Sequence, residues 1–182
     1  MSGVSLMFAS IGEKNIISMI EGGIYAIIGV TLTILIALRS FRYAAISLLP
    51  NVVPALMAFG VWGVLVGTVN LAAAAVFSIS LGILVDDTVH FISKYRRARE
   101  IKGFSPEHAI RYAFDNVGAA LVITTFVLCI GFSVLATSNF ALNSTAGSLT
   151  ALTIAIALIF DFLILPPLLM MFDKDPIPQI NQ

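Results

Sequence analysis

Charge is scarce in this chain. Asp, Glu, Lys and Arg make up 11% of its 182 residues, where an average soluble domain carries about a quarter. Cysteine is scarcer still. Cys129 is the only one, which excludes an intrachain disulfide and a thiol cluster for a metal. It stands in an apolar run, as a small buried residue would. A basic amino-terminal region is also lacking. No Lys or Arg precedes Lys14, so the first twenty residues do not have the build of a signal peptide. Ten basic and ten acidic side chains cancel. Net charge therefore gives no reason to expect a nucleic-acid partner, and none is expected. What the chain has instead is apolar residues, 59% of the total, with a mean hydropathy of +1.01. A domain of this size keeps much of its surface in water, so that content cannot all enter one core. A bilayer accommodates it.

A spanning helix needs about 20 mostly apolar residues. Five segments qualify, at about 22–38, 44–67, 70–93, 117–137 and 146–172. Backbone polar groups in lipid must bond internally, so each is predicted to be a helix. The runs are continuously apolar and do not alternate, which excludes a β-barrel. The expected fold is an all-α integral membrane protein. Residues 1–21 form a mildly amphipathic lead-in at the membrane surface, 22–172 a five-helix domain and 173–182 a tail.

The placement of charge gives the orientation. Arg39, Arg42, Lys94, Arg96, Arg97, Arg99, Lys102 and Arg111 fall in the first and third connections, and Lys174 follows the last span. The second (Thr68 to Val69) and fourth (Ser138 to Thr145) connections hold no charge. The positive-inside rule puts the amino end outside and the carboxy end in the cytoplasm. An odd number of spans agrees, since it puts the two ends on opposite sides. Within the third connection (Lys94 to Asn116), Ser105 fits an N-cap, Pro106 the first helical position and Glu107 the first turn. Ala109, Ile110, Ala113, Phe114 and Val117 recur at helical spacing. These residues predict a short cytoplasmic amphipathic helix running into the fourth span. Pro50 and Pro54 in the second span, and Pro166 and Pro167 in the fifth, predict kinks.

Three carboxyls stand inside spans: Asp86, Asp87 and Asp161. Each costs roughly 2.5–3.5 kcal/mol at a helix centre on insertion scales, so such residues are functional candidates. At 1.5 Å per residue, Asp86 and Asp161 each lie about 24 Å from the outer face, sixteen residues past Asn70 and Thr145. Thr124 and Thr125 lie about 11 Å from the inner face on the fourth span, which runs the other way. In a core of about 30 Å, all of these fall in one layer on the cytoplasmic side of the midplane. His90 is four residues after Asp86 and three after Asp87, on the same helical face, where it can tune or relay a proton. The alternatives are an interfacial histidine beside the basic loop, and an Asp161 that only hydrogen-bonds a neighbouring helix. Ser78, Ser80 and Gly82 precede the pair and allow close helix packing. A carboxyl in low dielectric resists ionisation, and protonation lets its partners repack. That logic belongs to proton-coupled transport and needs no bond-making step. Its energy source is the proton-motive force, and no bound cofactor is expected.

The stretch Ser80-Leu81-Gly82-Ile83-Leu84-Val85-Asp86-Asp87-Thr88-Val89-His90-Phe91 resembles the Gly-x-x-Val-Asp-Asp-Thr-x-His-Phe signature of resistance-nodulation-division exporters, most closely their MMPL-like and predicted-exporter branch. Other pieces are similar in order: Gly3 to Phe8 to the end of an extracytoplasmic domain, Leu49-Pro50-Asn51 with Pro54-Ala55-Leu56 to the next helix, and Asp161 to Pro166 to the last. The resemblance implies twelve spans in two similar halves, each with a large extracytoplasmic domain, of which this chain matches the final five spans. It implies a proton-relay role for Asp86 and Asp87, and more weakly for Thr124 and Thr125. The expected setting is the inner (plasma) membrane, crossed several times. The expected partners are membrane lipid, a complementary amino-terminal half, further copies in a homo-oligomer, and a hydrophobic or lipid substrate. The chain is not expected to transport alone.

Three rival readings stand beside this one. An intramembrane aspartyl protease would use Asp87 and Asp161 as its dyad, but Ile83-Leu84-Val85 precede the pair where such enzymes resemble Gly-x-Gly-Asp. A lipid-sensing or protein-translocating module of the same superfamily would use the same helices. A purely structural subunit leaves the Asp pair unexplained.

Overall fold

The computed structural model describes residues 21–66 and 71–173, with side chains of the third helix described from Val76. Five helices are long and apolar enough to cross a membrane. They are α1 (Glu21–Leu38), α2 (Phe41–Leu65), α3 (Leu71–Glu100), the run made by α4 (Pro106–Ala113), a π-helical turn (Phe114–Gly118) and α5 (Ala119–Ala136), and the pair α6 (Ala141–Leu163) and α7 (Leu165–Phe172). No strand occurs among the described residues. The expected lead-in with Lys14, the second connection and the tail from Lys174 lie outside the described residues.

Several boundaries differ from the sequence expectation, each for a local reason. The first connection shrinks to Arg39 and Ser40, with α2 starting at Phe41. Arg39 takes φ 47°, in the left-handed region. That single residue reverses the chain, and the Arg96 guanidinium donates to the adjoining Leu38 carbonyl. Lys94 to Glu100 were expected in a connection but extend α3, because Tyr95 and Ala98 are fully buried there. The extension ends where Gly103 adopts φ 65° and the Phe104 N–H turns back to the Ala98 carbonyl at 3.1 Å. The fourth connection is shorter than Ser138 to Thr145, because α6 starts at Ala141. There the Ser144 hydroxyl donates to the Ala136 carbonyl at 2.8 Å and closes the α5–α6 hairpin.

The helix expected after Ser105 is present. Ser105 caps it by accepting from the His108 N–H, Pro106 stands in the first turn, and Ala109, Ile110 and Ala113 form its buried face. It runs through the π-helical turn into α5, as expected. Prolines act unequally. α2 continues as one helix through Pro50 and Pro54, whereas Pro166 and Pro167 follow a break at Ile164 that separates α6 from α7.

α6 is the central helix and packs on α5, α2 and α3. Gly147 makes the α5 contact possible. A Cβ there would meet the Ala136 nitrogen and the Phe132 oxygen at 2.5 Å, and backbone atoms have no room to yield. The main core joins Ile34, Leu38, Phe91, Ile92, Tyr95, Ile110 and Leu169, at the end of the bundle that carries the basic residues. Phe114 bridges it, 4.9 Å from Phe91 and 5.1 Å from Phe162. The outward faces of α1 and α5 remain apolar: Tyr25, Leu32 and Ile36 on one, Ile123, Phe126 and Val134 on the other, all exposed. A continuous apolar exterior of this kind is the surface a bilayer or a further apolar helix would cover.

Below the basic end of α3 lies a second polar cluster. The Asp173 carboxylate, at the end of α7, accepts from Tyr95 Oη at 2.6 Å, Arg99 Nε at 2.8 Å and Tyr43 Oη at 3.5 Å. One side chain thus ties α7 to α2 and α3. Burial alone would raise the pKa of this carboxyl. The hydrogen bonds from Arg99 and Tyr95, with the Arg99 and Arg42 charges, overcome burial and hold it below its ordinary value.

Candidate functional site

The acidic pair sits in one unbroken helix, so adjacent residues must face different ways, about 100° apart. Asp86 points outward, with 75% of its side chain exposed. His90 lies one turn on, and its Nε2 is 3.4 Å from Asp86 Oδ1. Asp87 is half-buried, turned towards the bundle. Because α3 and α5 each pack on α6, they leave a groove between them. It is open, about 620 Å³ in volume, and lined by Asp86, Asp87, Gly82 and Ile83 from α3 and by Ile123, Thr124, Val127 and Leu128 from α5. Gly82 widens it by presenting no side chain.

Behind Asp87, the helices meet in a buried polar network. Thr88 follows the pair and faces the interior. Its hydroxyl lies 3.1 Å from Asp161 Oδ1 on α6, 3.2 Å from Asn51 Oδ1 on α2 and 3.2 Å from its own Leu84 carbonyl. Asn51 is held in turn by donation from Nδ2 to the Ser47 carbonyl at 2.6 Å. Ser47, Asn51 and Thr88 are fully buried, and Asp161 is 3% exposed.

The structure brings Asp86, Asp87 and Thr124 to one groove, sets His90 one turn along α3 beside Asp86, and buries Asp161. The two threonines do not serve as partners of the carboxyls among the described contacts. The Thr124 hydroxyl bonds back to the Ala120 and Leu121 carbonyls, both at 3.0 Å. Thr125 is turned inward and buried, with its hydroxyl unpartnered. Thr124 lines the groove with the acidic pair, while Thr125, about 100° around the helix, does not. Asp161 does hydrogen-bond a neighbouring helix, and its donor is the threonine of the Asp-Asp-Thr element itself. Sequence reasoning missed Thr88 and Asn51. The available signal was spacing: Thr88 is four residues from Leu84 and seven from Leu81, on the buried stripe of α3, and Asn51 is a lone amide in an apolar span.

Residues 1–175 match the MMPL family. Over 156 residues, the chain is 26% identical to a Methanocaldococcus jannaschii protein named "Putative membrane protein MJ1562". That alignment covers 86% of this chain and 40% of the relative, so the chain spans about two fifths of that protein's length. With five helices of spanning length and a family match over nearly all its residues, the chain belongs to the MMPL family and is a membrane protein of the transporter-like resistance-nodulation-division type.

Proposed function

We propose that the chain is the membrane half of a proton-driven exporter of hydrophobic or amphiphilic compounds, such as lipids or drugs. The observation that carries this is the groove. Two carboxyls and a hydroxyl face one opening between α3 and α5, and a third carboxyl sits buried behind them. Asp86 and Asp87 load the proton, His90 relays it on the side of the basic loop, and Asp161 is the inner acceptor. The exposed Asp86 and the apolar faces of α1 and α5 support a complementary half, because an intramembrane charge needs a facing partner. Residues 1–21 would lead in from an extracytoplasmic domain, with the amino end outside and the tail in the cytoplasm of the inner membrane.

The test is gradient-driven efflux from a complete transporter that contains these spans. The Asp86→Asn, Asp87→Asn double variant should insert at near-normal abundance and lose export. Removing a costly intramembrane charge makes insertion easier, which separates this result from misfolding. Full export by the double variant would leave the pair structural. The isolated chain in liposomes should show no proton-coupled efflux.

A further inference from the structure

The Thr88 hydroxyl has one proton and three oxygens around it. A hydroxyl donates once and accepts through its lone pairs, so Asp161 Oδ1, Asn51 Oδ1 and the Leu84 carbonyl compete for that donation. The amide of Asn51 cannot turn to help. Its Nδ2 is committed to the Ser47 carbonyl at 2.6 Å, which leaves only the acceptor oxygen facing Thr88. All of these side chains are closed to solvent. On α3, the charged Asp87 immediately precedes Thr88, the side chain that contacts Asp161. α5 and α7 contain no charged residue, and the single charge in α2, Arg42, acts on Asp173 instead.

We propose that Thr88 is a hydrogen-bond switch that reports the proton on Asp161 to Asn51, and so couples α6 to α2. This deepens the proton-relay reading and rests on it. With Asp161 ionised, the Thr88 proton goes to the carboxylate, because a charge-assisted bond is the stronger. Asn51 Oδ1 is then left without its donor, a costly state for a buried acceptor. With Asp161 protonated, its own O–H donates to Thr88 Oγ1, and the Thr88 O–H swings to Asn51 Oδ1. Donation then runs Asp161 to Thr88 to Asn51 to the Ser47 carbonyl, across α6, α3 and α2, and Asn51 Oδ1 regains its donor. The proton on Asp161 arrives through the acidic pair and leaves by the reverse step. Only hydrogen bonds change, and α2, which has no acid of its own, is drawn to α3 when the proton is present.

Infrared difference spectra of the full chain in lipid nanodiscs, recorded between high and low pH, test this. Two bands are expected in the wild type: a carboxylic C=O band lost in Asp161→Asn, and a shift of a side-chain amide C=O lost in Asn51→Leu. If Asn51→Leu does not insert, carbon-13 labelling of asparagine side chains shows that the band belongs to an asparagine, and the conservative Asn51→Ser assigns it to Asn51. Thr88→Val should keep the carboxylic band and lose the amide shift, and Thr88→Ser should restore it. An amide shift that survives Thr88→Val overturns the switch. So does its absence from the wild type while the Asp161 band is present. Absence of the Asp161 band at every pH sinks the switch together with the proton reading of Asp161, and is distinguishable from the other outcomes.

Discussion

Arg99 and Asp173 stand 74 positions apart in the chain and 2.8 Å apart in space, each less than a tenth exposed. The pair fixes the end of α7 against the extension of α3, and Tyr95 and Tyr43 complete the carboxylate's bonding. Breaking a buried ion pair by removing one member costs about 3–5 kcal/mol, and Arg99 would keep its bond to the Phe104 carbonyl. Asp173→Ala is therefore expected to destabilise the fold by an amount in that range. Tyr95→Phe removes one charge-assisted hydrogen bond and should cost about 1.5–3 kcal/mol. Thermal unfolding in nanodiscs measures both. An Asp173→Ala variant as stable as the wild type contradicts the clamp.

The same carboxylate gives a pH dependence with a definite sign. Its pKa in the folded state lies below its ordinary value despite burial, because Arg99 and Tyr95 hydrogen-bond it. A depressed folded pKa contributes stability above the unfolded value, and that contribution is lost as pH falls through the folded one. The melting temperature should drop on acidification below the ordinary carboxylate range, and Asp173→Asn should flatten that part of the profile. Reaction of Cys129, a free and partly buried thiol, with a thiol-sensitive dye reports the melting. An unchanged acid limb in Asp173→Asn assigns the effect elsewhere.

Gly147 offers a steric test. Any Cβ there meets α5 backbone at 2.5 Å, so α5 and α6 must separate to accept one. Gly147→Ala should cost about 1–3 kcal/mol as overpacking, and Gly147→Leu more. A Cβ added at Gly131 would meet open space, so Gly131→Ala should be neutral or slightly stabilising. Equal melting of the two alanine variants would show that the α5–α6 contact is looser than this geometry.

Topology is open to labelling. Ser105 and Ser138 both accept backbone hydrogen bonds, from His108 and Phe140. Their exposed neighbours Lys102 and Asn139 are better sites. In a Cys129→Ser background, Asn139→Cys should react with an impermeant thiol reagent from outside intact cells, and Lys102→Cys only after permeabilisation. The motive is that nine of the ten basic residues lie on the side assigned to the cytoplasm. Labelling of Lys102→Cys from outside reverses the orientation.

By itself, the sequence determined the class and the number of helices, because twenty apolar residues in a row have one stable way to bury a backbone in lipid. The amphipathic α4 was equally legible, since Ser105, Pro106 and the Ala109-Ile110-Ala113 spacing are local signals. So was the acidic pair as the centre of interest, because intramembrane charge is too costly to be incidental. What only the tertiary structure decided is which polar groups meet. Thr88 and Thr125 are both threonines in apolar runs, yet one reaches a carboxylate and the other has no hydrogen-bond partner among the described residues. That outcome depends on helix rotation and neighbour choice, which no local pattern encodes. The Asp173 clamp was invisible for the same reason. Its four residues come from three helices, and charges at 99 and 173 read as solvated loop charges until α3 extends past its apolar run and α7 folds back beside it.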